Sequence, residues 1–425
     1  MTKKVLIIAY HFPPRPSVAS LRIQGLAKYL PEYGWEPTII TAKLPGKPDP
    51  RYHVIETQDS DILLEWKRRF GLSADKTFRE QLGQTGKNDT IVDLLLQFAK
   101  EILAYPDYNK KWYSYVMPTA RELLKTGEYE AILSSAGPYT SHIIAHDLKK
   151  EFGIPWIADF RDLWTQNQSY SYNSVRKFFE SRLEISTLNN ADAITTVSEP
   201  LAQKLRRLHH TPVYVITNGF DPEILNTSIP MTKKFTITYT GRIYRNVMNL
   251  EPLFRTIQKF LQNRVMDPSD IEINFWGSFE PWLKDMVLRY QLDHIVLIHN
   301  YVPRQEIIKI QRESQILLLL TWNDPDEQGI LTGKIFEYLA ARRPILAIGY
   351  AKGGIYEMLE DTRGGYIAET DIELESVLLD MYLKFKENGA VAYTGVNEKV
   401  QKYGHDEMAR KFAELGDTVS CTQHS

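Results

Sequence analysis

The segment Gly329-Ile330-Leu331-Thr332-Gly333-Lys334-Ile335-Phe336-Glu337 carries the sharpest chemical signal in the chain. Thr332 and Gly333 fall where a helix should begin, after an apolar strand that ends at Thr321. The unpaired N–H groups of a helix's first turn can hold a phosphate, and the helix dipole favours the anion. Lys334 adds a point charge. Glu337, one turn further on, can accept both hydroxyls of a ribose cis-diol. The competing reading is an ordinary amphipathic helix with a solvated Lys–Glu pair. A Walker A loop is excluded, because neither Ser nor Thr follows Lys334 and the glycine spacing is wrong. No Gly-x-Gly-x-x-Gly follows the first strand, which disfavours a nicotinamide dehydrogenase. Asp59-Ser60-Asp61 imitates a metal-binding Asp-x-Asp, but it lies in an irregular region and reads as solvated surface.

These residues need a scaffold, and the hydrophobic patterning describes one. Val5-Leu6-Ile7-Ile8-Ala9-Tyr10 is a short, continuously apolar strand of the kind that a parallel sheet covered on both faces requires. The following run, His11-Phe12-Pro13-Pro14-Arg15-Pro16-Ser17, is neither helix nor ladder strand, because its prolines lack donors. Ser17 or Ser20 can cap the next helix, in which Ile23, Leu26, Ala27 and Leu30 form one apolar stripe. A second strand at 37–41 completes a βαβ opening. Residues 43 to about 127 are less regular, with helical periodicity near 91–103 and 118–124. Strands are predicted again at 131–133, 155–158 and 193–197. Beyond a proline-flanked polar stretch near 222–234, six further strands are predicted at 235–241, 271–277, 295–300, 315–321, 344–349 and 365–369. The expected fold class is α/β, with two Rossmann-like doubly wound domains facing across a cleft. Ligands bind such sheets at the carboxyl ends of the strands, so the loops that follow strands are the ones to read.

The composition narrows the function classes. In 425 residues the hydrophobic share is 43% and the charged share 24%, which excludes a disordered chain. A net charge of −2 argues against a nucleic-acid binder, which would carry a basic excess. The single cysteine, Cys421, cannot form an internal disulfide or a Cys-rich zinc site, and a cytoplasmic location fits. The apolar run at 5–10 is too short for a secretory signal, and no run approaches the ~20 residues that span a bilayer. Three segments mix cations with apolar or aromatic residues: Trp66-Lys67-Arg68-Arg69-Phe70, Lys110-Lys111-Trp112-Tyr113 and Lys204-Leu205-Arg206-Arg207-Leu208. They are candidates for peripheral membrane contact at anionic headgroups, against the alternative of solvated helix faces.

The segment around Lys334, with the remainder of the chain, resembles the retaining glycosyltransferases of the GT-B fold, family 4, whose members build lipopolysaccharide, capsule and exopolysaccharide. Phe12-Pro13-Pro14 with Arg22 and Leu26-Ala27-Lys28-Tyr29-Leu30 is similar to the family's opening loop and helix. Asp159-Phe160-Arg161-Asp162-Leu163-Trp164 resembles an Asp-x-Arg-Asp-x-Trp subgroup. Asn218-Gly219-Phe220-Asp221 resembles the interdomain segment, and Tyr239-Thr240-Gly241-Arg242 and Tyr301-Val302-Pro303 resemble donor-domain loops. The resemblance implies an acceptor-side domain over 1–225, a donor-binding domain over 226–393, and a C-terminal helix at about 394–418 packing back on the first.

The resemblance also implies roles. Arg242 would grip the donor diphosphate, Glu337 would hold the ribose, and Tyr301 and Val302 would lie along the donor. Where the family usually has a lysine, this chain has Met248, so Arg245 or Lys334 would supply that charge. The first Glu of the family's Glu-x7-Glu motif falls on Gly329, with Glu327 off register. Ser17, Asp159, Arg161 and Asp162 would face the cleft from the acceptor side, with Asp162 helping to position substrate. The implied reaction moves a sugar from a UDP- or GDP-linked donor to a glycan or lipid-linked acceptor, at the inner face of the membrane, with no metal. Arg242, Lys334 and the helix N-terminus would stabilise the departing diphosphate. The alternatives are a nucleotide-sugar epimerase of the same fold and a catalytically silent scaffold.

Overall fold

The computed structural model describes residues 2–15, 17–59, 101, 105–167, 170, 172–223, 229–245, 248–279, 281–321 and 331–421. The chain divides into two compact units. Unit 1 comprises residues 1–217 and 408–425, and unit 2 residues 218–407. The first break comes a few residues earlier than the proline-flanked stretch indicates, and the chain returns to unit 1 at Met408 rather than near 394.

Unit 1 is built on a sheet of parallel strands β1 (Lys3–Ile8), β2 (Trp35–Ala42), β3 (His53–Thr57), β4 (Tyr129–Ser135), β5 (Trp156–Phe160), β6 (Ala193–Thr196) and β7 (Val213–Val215). Its helices are α1 (Val18–Tyr29), α2 (Trp112–Leu124), α3 (Thr140–Phe152), α4 (Ser174–Leu188) and α5 (Glu199–Leu208). The order β3-β2-β1-β4-β5-β6-β7 reverses between β1 and β4. Successive strand side chains face opposite sides. Thus Leu6, Ile8, Trp156 and Phe160 enter one core, and Val5, Ile7 and Ile157 enter the other beside α1. Continuous apolar strands follow from that double burial.

Unit 2 repeats the scheme with β8 (Phe235–Thr240), β9 (Ile271–Trp276), β10 (Val296–His299), β11 (Ile316–Leu320), β12 (Ile345–Ile348) and β13 (Gly365–Ala368), interleaved with α6 (Glu251–Gln262), α7 (Pro281–Arg289), α8 (Arg304–Glu313), α9 (Gly333–Ala341), α10 (Gly354–Thr362) and α11 (Asp371–Asn388). The order β10-β9-β8-β11-β12-β13 is that of a dinucleotide-binding sheet, and it reverses between β8 and β11. Ile316, Leu318 and Leu320 of β11 pack to one side, Leu317 and Leu319 to the other. Helices α12 (Asn397–Gln401) and α13 (His405–Cys421) end the chain, α13 belonging to unit 1 from Met408 on. Each of the six strands predicted for this unit is present to within a residue at either end. In unit 1 the sequence reading missed the short edge strands β3 and β7, and it ended β5 two residues early.

Candidate active site

The reversal point of a doubly wound sheet leaves a crevice at the carboxyl ends of its two central strands. In unit 2 those strands are β8 and β11. The loop after β8 holds Gly241, Arg242 and Arg245, and the segment after β11 leads into α9 with Thr332, Gly333, Lys334 and Glu337. Sequence positions about 90 residues apart therefore meet at one edge.

A second layer fixes how they meet. Tyr338 is fully buried, and its hydroxyl accepts from the Thr240 backbone N–H at 3.1 Å. That bond fastens α9 to the end of β8. Lys334 lies one turn before Tyr338 on the same helical face, so it overlies Gly241. A Cβ on Gly241 would sit 2.7 Å from Lys334 Cε. The ammonium stands 4.9 Å from the centre of the Tyr239 ring, and the Tyr239 hydroxyl donates to the Arg242 carbonyl at 2.7 Å. Burial depresses the Lys334 pKa to about 8, against the opposing pull of Glu337. The lysine is held where an arriving anion would be its counter-charge.

Gly241 has φ +103, a conformation that side chains rarely adopt. Gly241→Ala is expected to cost about 1–3 kcal/mol of stability through backbone strain and to push Lys334 aside. Chemical denaturation checks the first effect; a Lys334 ammonium returning toward its ordinary pKa by NMR checks the second.

Thr332 is the N-cap residue of α9, but its hydroxyl makes no capping bond and is buried without a partner. The first-turn N–H groups are the donors that the sequence reading offers to a phosphate, and the Thr332 hydroxyl lies beside them. Arg242 and Arg245 are exposed, their guanidiniums 5.4 Å from the Tyr244 ring and 5.9 Å from the Trp282 ring. Met248, which stands where the resembled family has a lysine, is buried in the core near the Tyr239 hydroxyl. Lys334 instead packs directly against the Gly241 turn. Gly329 and Glu327 lie outside the described residues.

Glu337 is not the solvated partner of Lys334. One carboxylate oxygen accepts from Arg304 at 2.6 Å, and the other is 3.4 Å from the Gln311 amide, which also donates to Thr240 Oγ1. Each oxygen has a second lone pair to offer, so the pair orients the carboxylate without exhausting it. Tyr301 is 73% exposed and Val302 half-buried, in the loop that ends at Pro303, the N-cap of α8. The sequence reading missed Arg304 and Gln311. A cation in the first turn of a helix opposes the dipole, which marks Arg304 as serving something else. Gln311 is a polar residue four positions past Ile307 and is fully buried.

In unit 1 the Asp-x-Arg-Asp-x-Trp segment is largely absorbed by the fold. Asp159 lies inside β5 and is fully buried, a correction to its expected place facing a ligand. It accepts from Arg22 at 2.8 and 3.0 Å, from Thr195 at 2.8 Å and from Ser135 at 3.2 Å. The cause is register: β5 runs on to Phe160, so Asp159 shares the face of Ile157, against α1. Trp164 is buried, donating to Glu180 at 2.8 Å and stacking on Tyr139 at 4.7 Å. Arg161 donates to the Ala136 carbonyl. Ser17 caps α1, accepting from the Ser20 N–H at 3.0 Å. Asp162 is exposed.

Burial describes two of the cation-and-aromatic segments. Trp112 is fully buried and donates to Thr57, and Leu205 is buried, so the segments at 110–113 and 204–208 turn their apolar members inward. The segment at 66–70 lies outside the described residues, as do Ser60 and Asp61, while Asp59 accepts from the Tyr10 hydroxyl at 2.5 Å. Among the described residues no helix is long and apolar enough to cross a membrane.

Comparison with known proteins adds an independent line. The profile described as "Glycosyltransferase Family 4" matches residues 97–224, and that described as "Glycosyl transferases group 1" matches residues 234–380. Curated sequences gave no match. Among solved structures, a sucrose-phosphate synthase from Thermosynechococcus elongatus is similar at a TM-score of 0.64 and 16% identity, covering 99% of this chain and 100% of that one. Anabaena Alr3699/HepE, solved in complex with UDP and glucose, gives 0.62 and 13%, covering 98% and 100%. The lipopolysaccharide outer core galactosyltransferase WaaB gives 0.57 and 12%, covering 97% and 99%. At these identities the structural likeness speaks for the fold, and the two profiles speak for the family.

Proposed function

This chain belongs to the GT-B glycosyltransferases, and from that premise we propose that it moves a sugar from a nucleotide-diphosphate donor to a hydroxyl of a glycan or lipid-linked acceptor, with retained anomeric configuration, in cell-surface polysaccharide synthesis at the inner face of the membrane. The observation that carries the donor half is the convergence of Arg242, Lys334 and the α9 N-terminus on the β8/β11 reversal point. These groups suit a diphosphate: a guanidinium fork, a desolvated ammonium and free backbone donors. Glu337, oriented by Arg304 and Gln311, takes the ribose diol. Arg245 adds charge beside the loop, and Tyr301 and Val302 lie along the donor. The UDP bound in the HepE structure is consistent with this reading.

The chemistry follows from where charge grows. The anomeric C–O bond to phosphate breaks, the acceptor oxygen bonds to the same face of the sugar, and the leaving phosphate takes the acceptor's proton. Negative charge accumulates on the diphosphate, and the preorganised cations stabilise it most when it is greatest. They perform the charge neutralisation for which a divalent metal would otherwise serve. Asp162 is the group of the 159–164 segment presented to solvent, and it positions substrate from unit 1.

Calorimetry tests the donor assignment. Arg242→Ala and Glu337→Ala are each expected to weaken UDP or GDP binding about 10- to 100-fold, the range of a charge-assisted hydrogen bond. Arg304→Ala is expected to weaken it less, by loosening Glu337. Unchanged affinity in Glu337→Ala would refute the ribose role. A thermal-shift panel of nucleotide sugars on the wild type names the donor, and complete absence of any shift would remove the nucleotide site.

A further inference from the structure

At the carboxyl edge of the unit 1 sheet, two buried side-chain nitrogens, Arg161 Nε and His11 Nδ1, have no hydrogen-bond partner. Three arginines lie about the loops that follow β1, β4 and β5. Arg22 is matched by Asp159. Arg15 lies 3.8 Å from Asp59. Arg161 feels the Asp159 and Asp162 carboxylates only at longer range. One of its Nη atoms donates to the Ala136 carbonyl, its Nε is buried without a hydrogen-bond partner, and it makes no ion pair among the described residues. The Asp159 carboxylate is saturated by Arg22, Thr195 and Ser135, and Asp162 is exposed and not paired with Arg161. Asp159 and Asp162 offset part of the Arg161 charge at longer range, but a buried guanidinium N–H left unbonded is still costly, and an oxygen of an arriving ligand would satisfy it.

A second side chain shares the condition. His11 follows β1, and its Nδ1 is buried without a partner. The groups facing it are the Tyr10 ring, edge-on at 5.0 Å, and the guanidiniums of Arg15 and Arg161. Burial first, and those two cations second, depress its pKa to about 4, so the imidazole is neutral at pH 7. Gly137, with φ +79, admits Arg161 where a Cβ would stand 3.1 Å from its Nη2. The site lies where β1 and β4 diverge, the ligand end of such a sheet.

We propose that His11 and Arg161 bind a phosphate group carried by the acceptor. The proposal rests on the reading of unit 1 as the acceptor side and adds a chemical class to it. A carboxylate brings one negative charge, enough for Arg161 alone. A phosphate monoester brings between one and two at pH 7, enough to neutralise Arg161 and to draw a proton onto His11. Both orphaned nitrogens then gain an oxygen to face.

The test follows the His11 imidazole by NMR in the full chain with labelled histidine, assigned with His11→Gln, at pH 7. The probes are methyl phosphate, acetate and UDP. Methyl phosphate is expected to shift the His11 signal saturably toward its protonated position. The same shift is expected in the Arg242→Ala/Lys334→Ala variant, and it should vanish in Arg161→Gln and partly return in Arg161→Lys. No shift in the wild type, while UDP still binds, overturns the proposal without touching the donor site. So does a shift that disappears in Arg242→Ala/Lys334→Ala, which would place the phosphate in unit 2, or one that survives Arg161→Gln. An equal response to acetate overturns the choice of phosphate. A shift with methyl phosphate but no UDP binding leaves this site standing and removes the donor reading instead. The wild-type measurement decides by itself should Arg161→Gln fail to fold.

Discussion

Asp159→Ala is expected to destabilise unit 1 by about 3–5 kcal/mol, the usual cost of orphaning one member of a buried ion pair. All five guanidinium N–H groups of Arg22 are engaged. Two go to Asp159, and the others to the carbonyls of Ile216 and Thr217 and to the Met408 sulfur. The Phe412 ring lies 5.2 Å from the guanidinium. Arg22 therefore ties α1 and β5 to the place where the chain leaves unit 1 and the place where it returns. Removing the carboxylate strands that charge in a dry core. Arg22→Met/Asp159→Leu removes both charges with similar volume, and much of the loss is expected to return. A melt in which Asp159→Ala is no less stable than the double variant would show that the pair is not structural. The pH dependence has a definite sign. Burial alone would raise the Asp159 pKa, but Arg22 and the Thr195 hydroxyl outweigh it and hold the carboxyl below its ordinary range. Its contribution is present above the ordinary carboxylate pKa of about 3.9 and is lost as pH falls through the depressed value. Wild-type unit 1 should thus lose stability in acid, below the ordinary carboxylate pKa, in a way that the double variant does not.

The pairing of Arg22 with Asp159 also marks the limit of what residue types reveal. The segment Asp159 to Trp164 reads as chemistry because it is dense in charge and follows a strand. Its charges serve several ends. Asp159 anchors α1, Trp164 is clamped between Tyr139 and Glu180, and Asp162 alone of the four motif positions is exposed. Two residues of strand length separate these readings. Had β5 ended at Ala158, Asp159 would have been a loop residue. Propensity does not place that boundary, because Asp is a poor strand former and only its buried partner on α1 makes the extension favourable. Parallel strands themselves were legible, because a strand covered on both faces must be continuously apolar, as at 316–320. The edge strands β3 and β7 carry no such signal, since they are half exposed.

The unit 2 cluster was more legible for a related reason. Thr332, Gly333, Lys334 and Glu337 lie on one helix, and helical spacing fixes their mutual placement before any tertiary contact is known. What spacing could not give was the helix's seat. That depends on Tyr338 reaching Thr240 and on Gln311 joining Thr240 to Glu337, contacts spanning 26 to 98 residues of sequence. Met248 shows the converse. A lysine there would be a ligand group in the resembled family, but here position 248 is buried in the core, and Lys334 is the cation proposed to meet the anion.

Lys334→Ala is therefore expected to lower turnover about 100- to 1,000-fold, the scale of one preorganised charge donor, while weakening UDP binding far less. The asymmetry follows from its setting: an ammonium facing a departing phosphate gains most as the bond breaks. Its pKa near 8 gives a second signature. In the free enzyme Lys334 loses its charge as pH rises through that value, so kcat/KM should fall about tenfold per pH unit above it. In Lys334→Arg the limb should move beyond the accessible range, since a guanidinium stays protonated. A wild-type profile flat to pH 9.5 would show that the ammonium is not used. Stability runs the other way. The unfolded chain binds this proton more tightly than the folded one, so the penalty is complete below pH 8 and fades toward 10.5. Lys334→Met should then be at least as stable as the wild type at pH 7 although nearly inactive, since it removes a desolvated charge from a half-buried site. A lysine that only supported the fold would show the opposite pairing, loss of stability together with loss of rate, so the two measurements on one variant separate a charge kept for catalysis from one kept for structure.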